Sequence, residues 1–198
     1  MSKQMTRPYR KRRRAELEDE TRLRITEATM NLHESVGPAK TTVSAIADRA
    51  GVQRATVYRH FPDADALIGA CSAHWMALNP APDLTAWAEI ADPDRRLRTA
   101  LSELYDWYEH TERMVELLER DREAVPPLDA RMRARDAYLD AAAETIDRGR
   151  PERGARRRRV RAAIGHGLEF ETWRSLVRRQ GLDREQAVEL IAGLVACA

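Results

Sequence analysis

Gln53, Arg54, Thr56, Tyr58, Arg59 and His60 lie within eight residues of one another. They offer amide, hydroxyl, imidazole and two fixed cations, groups that bond base edges and phosphates. They are not an arrangement for breaking bonds. No G-x-S-x-G, Cys-His or paired-carboxylate constellation occurs, and the five histidines lack metal-ligand spacing. The expectation is therefore a binding protein with no catalytic residues, no metal and no cofactor.

The charge distribution points the same way. The net charge is +2, but residues 1–14 hold seven basic residues and no acid. Residues 15–62 hold six basic and seven acidic residues, and the chain beyond them is mildly acidic. A chain polarised like this fits an anionic polymer at one end. The basic, aperiodic residues 1–14, with Arg12, Arg13 and Arg14 at their end, read as a flexible arm that tracks a phosphate backbone or enters a minor groove. No run nears the ~18 apolar residues of a membrane span, no secretory leader opens the chain, and two cysteines suit a reducing cytoplasm.

These groups need positioning elements, and the apolar periodicity supplies helices throughout. Ile25, Ala28, Leu32 and Val36 mark a first helix from about Leu17, ended by Gly37-Pro38. Thr42 caps a second, with Val43, Ile46, Ala47 and Ala50 on one face. Gly51 gives the turn, and a third runs from about Gln53 to His60. Val52 and Val57 face the core, which turns the hydrogen-bonding residues outward. Further helices follow from Asp63 or Asp65, from Asp92-Pro93, around Met114–Leu118, after the break at Pro126-Pro127, from Ala155 to Arg179, and from Asp183. The reading is all-α with about nine helices: arm 1–14, helix-turn-helix domain 15–62 with its motif at about 42–61, and a second domain 63–198.

Residues 41–67, TTVSAIADRAGVQRATVYRHFPDADAL, resemble the DNA-binding domain of the TetR family of one-component repressors. The matching positions are Thr41-Thr42-Val43, Ile46-Ala47, Ala50-Gly51-Val52, Tyr58-Arg59-His60-Phe61 and Asp65 with Leu67. Two positions depart from the pattern: Ala64 stands where the family usually has a phosphate-binding Lys, and Gln53 where a capping Ser is common. The resemblance implies phosphate contacts at Thr42, Tyr58 and His60, with Thr41 beside them. It implies base reading by Gln53, Arg54, Ala55, Thr56, Arg59 or their neighbours. It also implies a cytoplasmic homodimer on a palindromic operator, released by a small-molecule effector.

The resemblance leaves the rest of the chain to its own residues. Effector candidates are Cys71, Trp75, Leu104, Trp107, Tyr108, Met114, Leu118, Tyr138 and Phe170, each also suited to plain core packing. The helix from Ala155 to Arg179 is apolar on two sides, as a helix covered by its own subunit and by a partner would be. Trp173, Leu176 and Val177, with Leu190, Ile191 and Leu194 of the last helix, are the candidate dimer residues. A ligand-independent or protein-partnered DNA-binding regulator is the alternative, favoured if side chains fill the second domain.

Overall fold

The computed structural model describes residues 6–198, with side chains from Lys11 onward; residues 1–5 of the expected arm lie outside the described residues. The described residues form ten α-helices and no strand. They gather into two compact units: residues up to Leu78 with Glu116–Arg131, and Asn79–Val115 with Met132–Ala198.

The first unit holds α1 (Thr6–Val36), α2 (Val43–Ala50), α3 (Arg54–His60) and α4 (Ala64–Leu78). Its core is Ile25, Ala28, Ile46, Ala47, Ala50, Val57, Phe61 and Leu67. Gly51, at φ 64, ends α2 in the left-handed conformation that glycine adopts without strain. Thr42 caps α2 as expected: its Oγ1 accepts from the Ala45 N–H at 3.1 Å. α1 corrects the expected arm, because the helix already runs at Thr6, far ahead of Leu17. Arg, Lys, Ala, Glu and Leu all favour helix, and extending an existing helix avoids the cost of nucleation. Ion pairs one turn apart add support, from Arg12 to Glu16 at 2.9 Å and from Arg14 to Glu18 at 3.0 Å.

The second unit holds α5 (Leu84–Ala88), most of α6 (Pro93–Asp121) and α7 (Pro126–Asp147), then α8 (Gly154–Leu168), α9 (Phe170–Arg174), a π-helical turn (Ser175–Arg179) and α10 (Arg184–Cys197). α5 has no counterpart in the sequence reading; Asp83 caps it through the Thr85 N–H. The two stretches around Leu97–Tyr108 and Met114–Leu118 form one helix, α6. Pro126 opens α7 instead of breaking the chain, as proline does at a first helical position.

The expected long helix 155–179 is broken at Glu169, whose ψ of 139 is extended. Tyr105 and Tyr108 hydroxyls donate to the Gly167 and Leu168 carbonyls at 2.8 and 2.7 Å. They replace the intrahelical partners those carbonyls lose, so the break leaves no orphan acceptor there. Three arginines of the run 156–159 have specific partners. Arg157 pairs with buried Asp147 at 2.7 Å, while Arg156 and Arg159 reach the Ala196 and Ala198 carbonyls at the end of α10. Cations there complement the helix dipole.

Arg96 is the polar centre of this unit. It is 4% exposed and donates to the carbonyls of Ile90, Ala91, Thr145 and Arg148, tying the start of α6 to the end of α7. Replacing it by Met orphans several acceptors in an apolar setting. Arg96→Met should cost roughly 2–4 kcal/mol, lowering the melting temperature by about 10 °C in a thermal melt.

Candidate nucleic-acid interface

α3 is seven residues long and buries one side chain, Val57, at 1% exposure. Gln53, Arg54, Ala55, Tyr58 and Arg59 are exposed around it, and Thr56 is half-buried. Gln53 stands at the N-cap position but makes no side-chain cap, so its amide is not spent on the helix. The two candidate threonines divide their roles. Thr41 is half-buried and donates its hydroxyl to the Gly37 carbonyl at 2.8 Å. Thr42 is exposed and uses its oxygen as the α2 cap, which leaves the hydroxyl proton for an outside acceptor.

His60 is less open than expected. Its Nε2 is buried with no hydrogen-bond partner among the described residues. Burial first, then the Arg59 and Arg22 charges, hold its pKa below the usual value. Arg22 was not among the expected site residues. Its Nη1 donates to the His60 carbonyl at 2.7 Å, and its guanidinium lies 4.2 Å from the centroid of the Phe61 ring. It thereby docks the end of α3 on α1. The only local cue is its position three residues before Ile25 on the same helix.

A second anchor was also missed. Asp121 Oδ2 accepts the Ala39 N–H at 2.9 Å, and Arg120 donates to the Val36 carbonyl at 2.9 Å. Both side chains crowd Gly37, which sits at φ 90. Nothing local in sequence pairs residues more than 80 positions apart.

The effector candidates separate between the units. Cys71, Trp75 and Leu118 belong to the first, and Leu104, Trp107, Tyr108, Met114, Tyr138 and Phe170 to the second. Leu104, Tyr108 and Phe170 are at most 1% exposed and pack in the core of the second unit. Tyr108 meets Phe170 edge-on at 5.4 Å and Trp173 at 5.8 Å. Trp107 and Tyr138 are partly buried, with their polar ends on the Asn79 and Pro82 carbonyls. An open groove of about 540 Å³ lies along α6 and α10, lined by Arg98, Thr99, Ser102, Glu103, Arg184, Glu185 and Val188. None of the candidates borders it. Of the dimer candidates, Trp173 and Ile191 are buried in their own core, Leu176 and Val177 are partly buried, and Leu190 and Leu194 are 52% and 47% exposed. Among the described residues no group of three or more His, Cys, Asp or Glu could hold a metal, and no helix is long and apolar enough to cross a membrane.

Residues 25–71, spanning the helix-turn-helix and the start of α4, match the family model of bacterial regulatory proteins, tetR family. Residues 25–71 are thus a domain of the TetR family. Solved structures of TetR-family regulators share the fold over about nine-tenths of the chain. A TetR-like transcriptional regulator from Rhodococcus sp. RHA1 shares 18% identity over 89% of this chain and 93% of its own, with a TM-score of 0.63. NalD of Pseudomonas aeruginosa, the secondary repressor of the MexAB-OprM multidrug efflux pump, shares 21% over 91% and 96%, with a TM-score of 0.58. A TetR transcription regulator from Haloarcula marismortui shares 19% over 90% and 95%, at 0.57. No curated protein sequence matches the chain.

Cys71 illustrates what a buried candidate does in this chain. Its Sγ lies 3.6 Å from His33 Nδ1, and burial pushes the thiol pKa up to about 12. The thiol stays protonated and shares a hydrogen bond with the imidazole. Burial lowers the His33 pKa to about 4, against a smaller opposing pull from Asp121. The folded chain thus keeps His33 neutral where the unfolded chain, with a pKa near 6.5, already binds a proton. Its contribution is complete above pH 6.5 and falls as the pH drops towards 4, by about 3 kcal/mol in all. In denaturant titrations from pH 7 to 4, His33→Asn should flatten this acid limb relative to wild type.

Proposed function

We propose that this TetR-family chain is a sequence-specific DNA-binding transcriptional repressor. In this reading it acts in the cytoplasm as a homodimer on a palindromic operator and leaves the DNA when a small molecule binds its second unit. The outward face of α3 carries the DNA-binding part: five exposed residues around one buried valine. Residues at the start of a recognition helix reach base edges. Arg54 has the fork that pairs guanine, and Gln53 the amide that pairs adenine. Ala55, Thr56 and Arg59 flank them. Tyr58 and the free hydroxyl proton of Thr42 serve phosphates on either side, and His60 joins them by turning its ring outward. Thr41 supports this face by bracing the turn before α2.

Dimerisation brings a second reading head one helical turn of DNA away, about 34–36 Å. α8 and α10 run antiparallel: Gly167 packs on Ile191, and Arg159 reaches Ala198. Exposed Leu190 and Leu194 lie one turn apart on α10 with Gly193 between them, and Ala162 and Gly165 lie at matching outward positions on α8. Gly165 and Gly193 have open space above them, which suits close approach of a partner helix. Leu176 and Val177 border this stripe, and two copies of it make a four-helix bundle.

The ligand-responsive reading has a rival in the aromatic core. Tyr105, Tyr108, Phe170 and Trp173 fill the second unit, with both tyrosine hydroxyls spent on carbonyls. That packing favours a ligand-independent or protein-partnered regulator. A thermal-shift screen separates the two: the repressor reading requires a small molecule that both raises the melting temperature and frees the DNA.

Two substitutions test the rest. Arg54→Ala should weaken binding to a duplex selected from a random library by about 10- to 100-fold and relax one base preference, measured by fluorescence anisotropy. Equal affinity of the wild type for selected and random duplexes would overturn specific recognition. Leu190→Glu should turn the dimer into a folded monomer in sedimentation velocity with helicity kept.

A further inference from the structure

We propose that the N-terminal part of α1 is a rigid basic face that holds the phosphate backbone of the duplex flanking each half-site. The proposal deepens the DNA-binding reading above and rests on it. α1 is unbroken from Thr6 to Val36. Positions 7, 10, 11 and 14 stand 18 residues before Ile25, Ala28, Thr29 and Leu32. Eighteen residues are five turns of an α-helix, so all eight positions share one stripe. In its C-terminal half the stripe is covered by its own unit: Ile25 and Thr29 are 0% exposed and Ala28 is 4%. In its N-terminal part the same stripe carries Arg, Arg, Lys and Arg.

The handover falls beside the reading helix. Arg22 bonds the carbonyl of His60, the last residue of α3, and stacks on Phe61. Beyond that point Lys11 and Arg14 are exposed, and the same register holds arginines at positions 7 and 10. Glu16, Asp19 and Glu20 take positions on the opposite side of the helix, so the two faces differ in charge. Arg14 spends its charge on Glu18, also on the stripe. Positions 7, 10 and 11 have no acid one turn on.

The occupant that continues past the end of a recognition helix is more of the same duplex, and its phosphates complement this face. A helix about 10–12 Å across does not enter a minor groove about 6 Å wide, so the contact is to the backbone and not to base edges. From Arg22 to Thr6 the helix extends about 24 Å, the length of about seven base pairs at 3.4 Å each.

The test uses the full chain and a duplex it selects from a random library. That duplex is either trimmed to its half-sites or extended by roughly eight arbitrary base pairs at each end. At roughly 0.1 M salt the wild type should bind the extended form at least about tenfold tighter, with a steeper salt slope. Scrambling the flanks should change nothing, because phosphates carry no sequence. Arg7→Gln, Arg10→Gln and Lys11→Gln together should abolish the gain, while Arg12→Gln with Arg13→Gln, off the stripe, should keep it. Ala15→Pro retains every charge but breaks the helix well ahead of the core, and should also abolish the gain. Equal wild-type affinity for both duplexes would overturn the proposal. So would equal loss in the off-stripe variant, or a gain surviving Ala15→Pro, which would make the segment a tail. Stripe-dependent binding to phosphatidylserine vesicles without any flank effect would assign the face to a membrane instead. If no duplex is selected at all, the DNA-binding reading falls and this proposal with it.

Discussion

Val57 and Phe61 are the only core side chains that α3 and its C-cap supply, at 1% and 2% exposure. A seven-residue helix makes two turns, so burying one side turns every other residue outward. The orientation of Gln53, Arg54, Tyr58 and Arg59 therefore follows from a packing constraint on two apolar residues. Small Ala47 and Ala50 let α2 approach closely, and Gly51 turns the chain between the two helices. Arg22 closes the arrangement by holding the far end of α3 against α1. The outward face of α3 is set by a back that is committed to the core.

The second unit solves a different problem. It must end one helix and start another inside an aromatic core without abandoning backbone acceptors. Tyr105 and Tyr108 do both, filling volume with their rings and taking the Gly167 and Leu168 carbonyls with their hydroxyls. Close packing follows, with Gly167 against Ile191 where a Cβ would collide with the isoleucine side chain. Residues that look free in sequence to line a cavity, such as Tyr108 and Phe170, are consumed by this core. Leu190 and Leu194 are left outside it, on the one face of α10 that its own unit does not cover.

Charge is organised along α1 in the same economical way. One register is apolar at Ile25 and Ala28, where protein covers it, and basic at positions 7, 10, 11 and 14. The helix needs no partner to persist there, since it grows from a segment already nucleated by the core. Cations in a tail and the same cations on a helix give the same net charge but different chemistry, because only the helix keeps them in register.

The amino-acid sequence by itself determined the all-α class, the turn at Gly51, the caps at Thr42 and Asp183, and the outward residues of α3. Each depends on neighbours within a few positions, where periodicity and backbone preference act directly. Only the tertiary structure decided the break at Glu169, the docking of Arg22 on His60, the Asp121 contact with the Ala39 amide and the four carbonyls gathered by Arg96. These join positions from 5 to 82 residues apart, and the bonds form only when folding has brought donor and acceptor together in a place that excludes water. The helical state of residues 6–14 also escaped the periodicity reading, because a solvated helix buries no face and so leaves no apolar pattern. Burial leaves a mark in sequence; a hydrogen bond between distant residues, or a helix extended into solvent, does not.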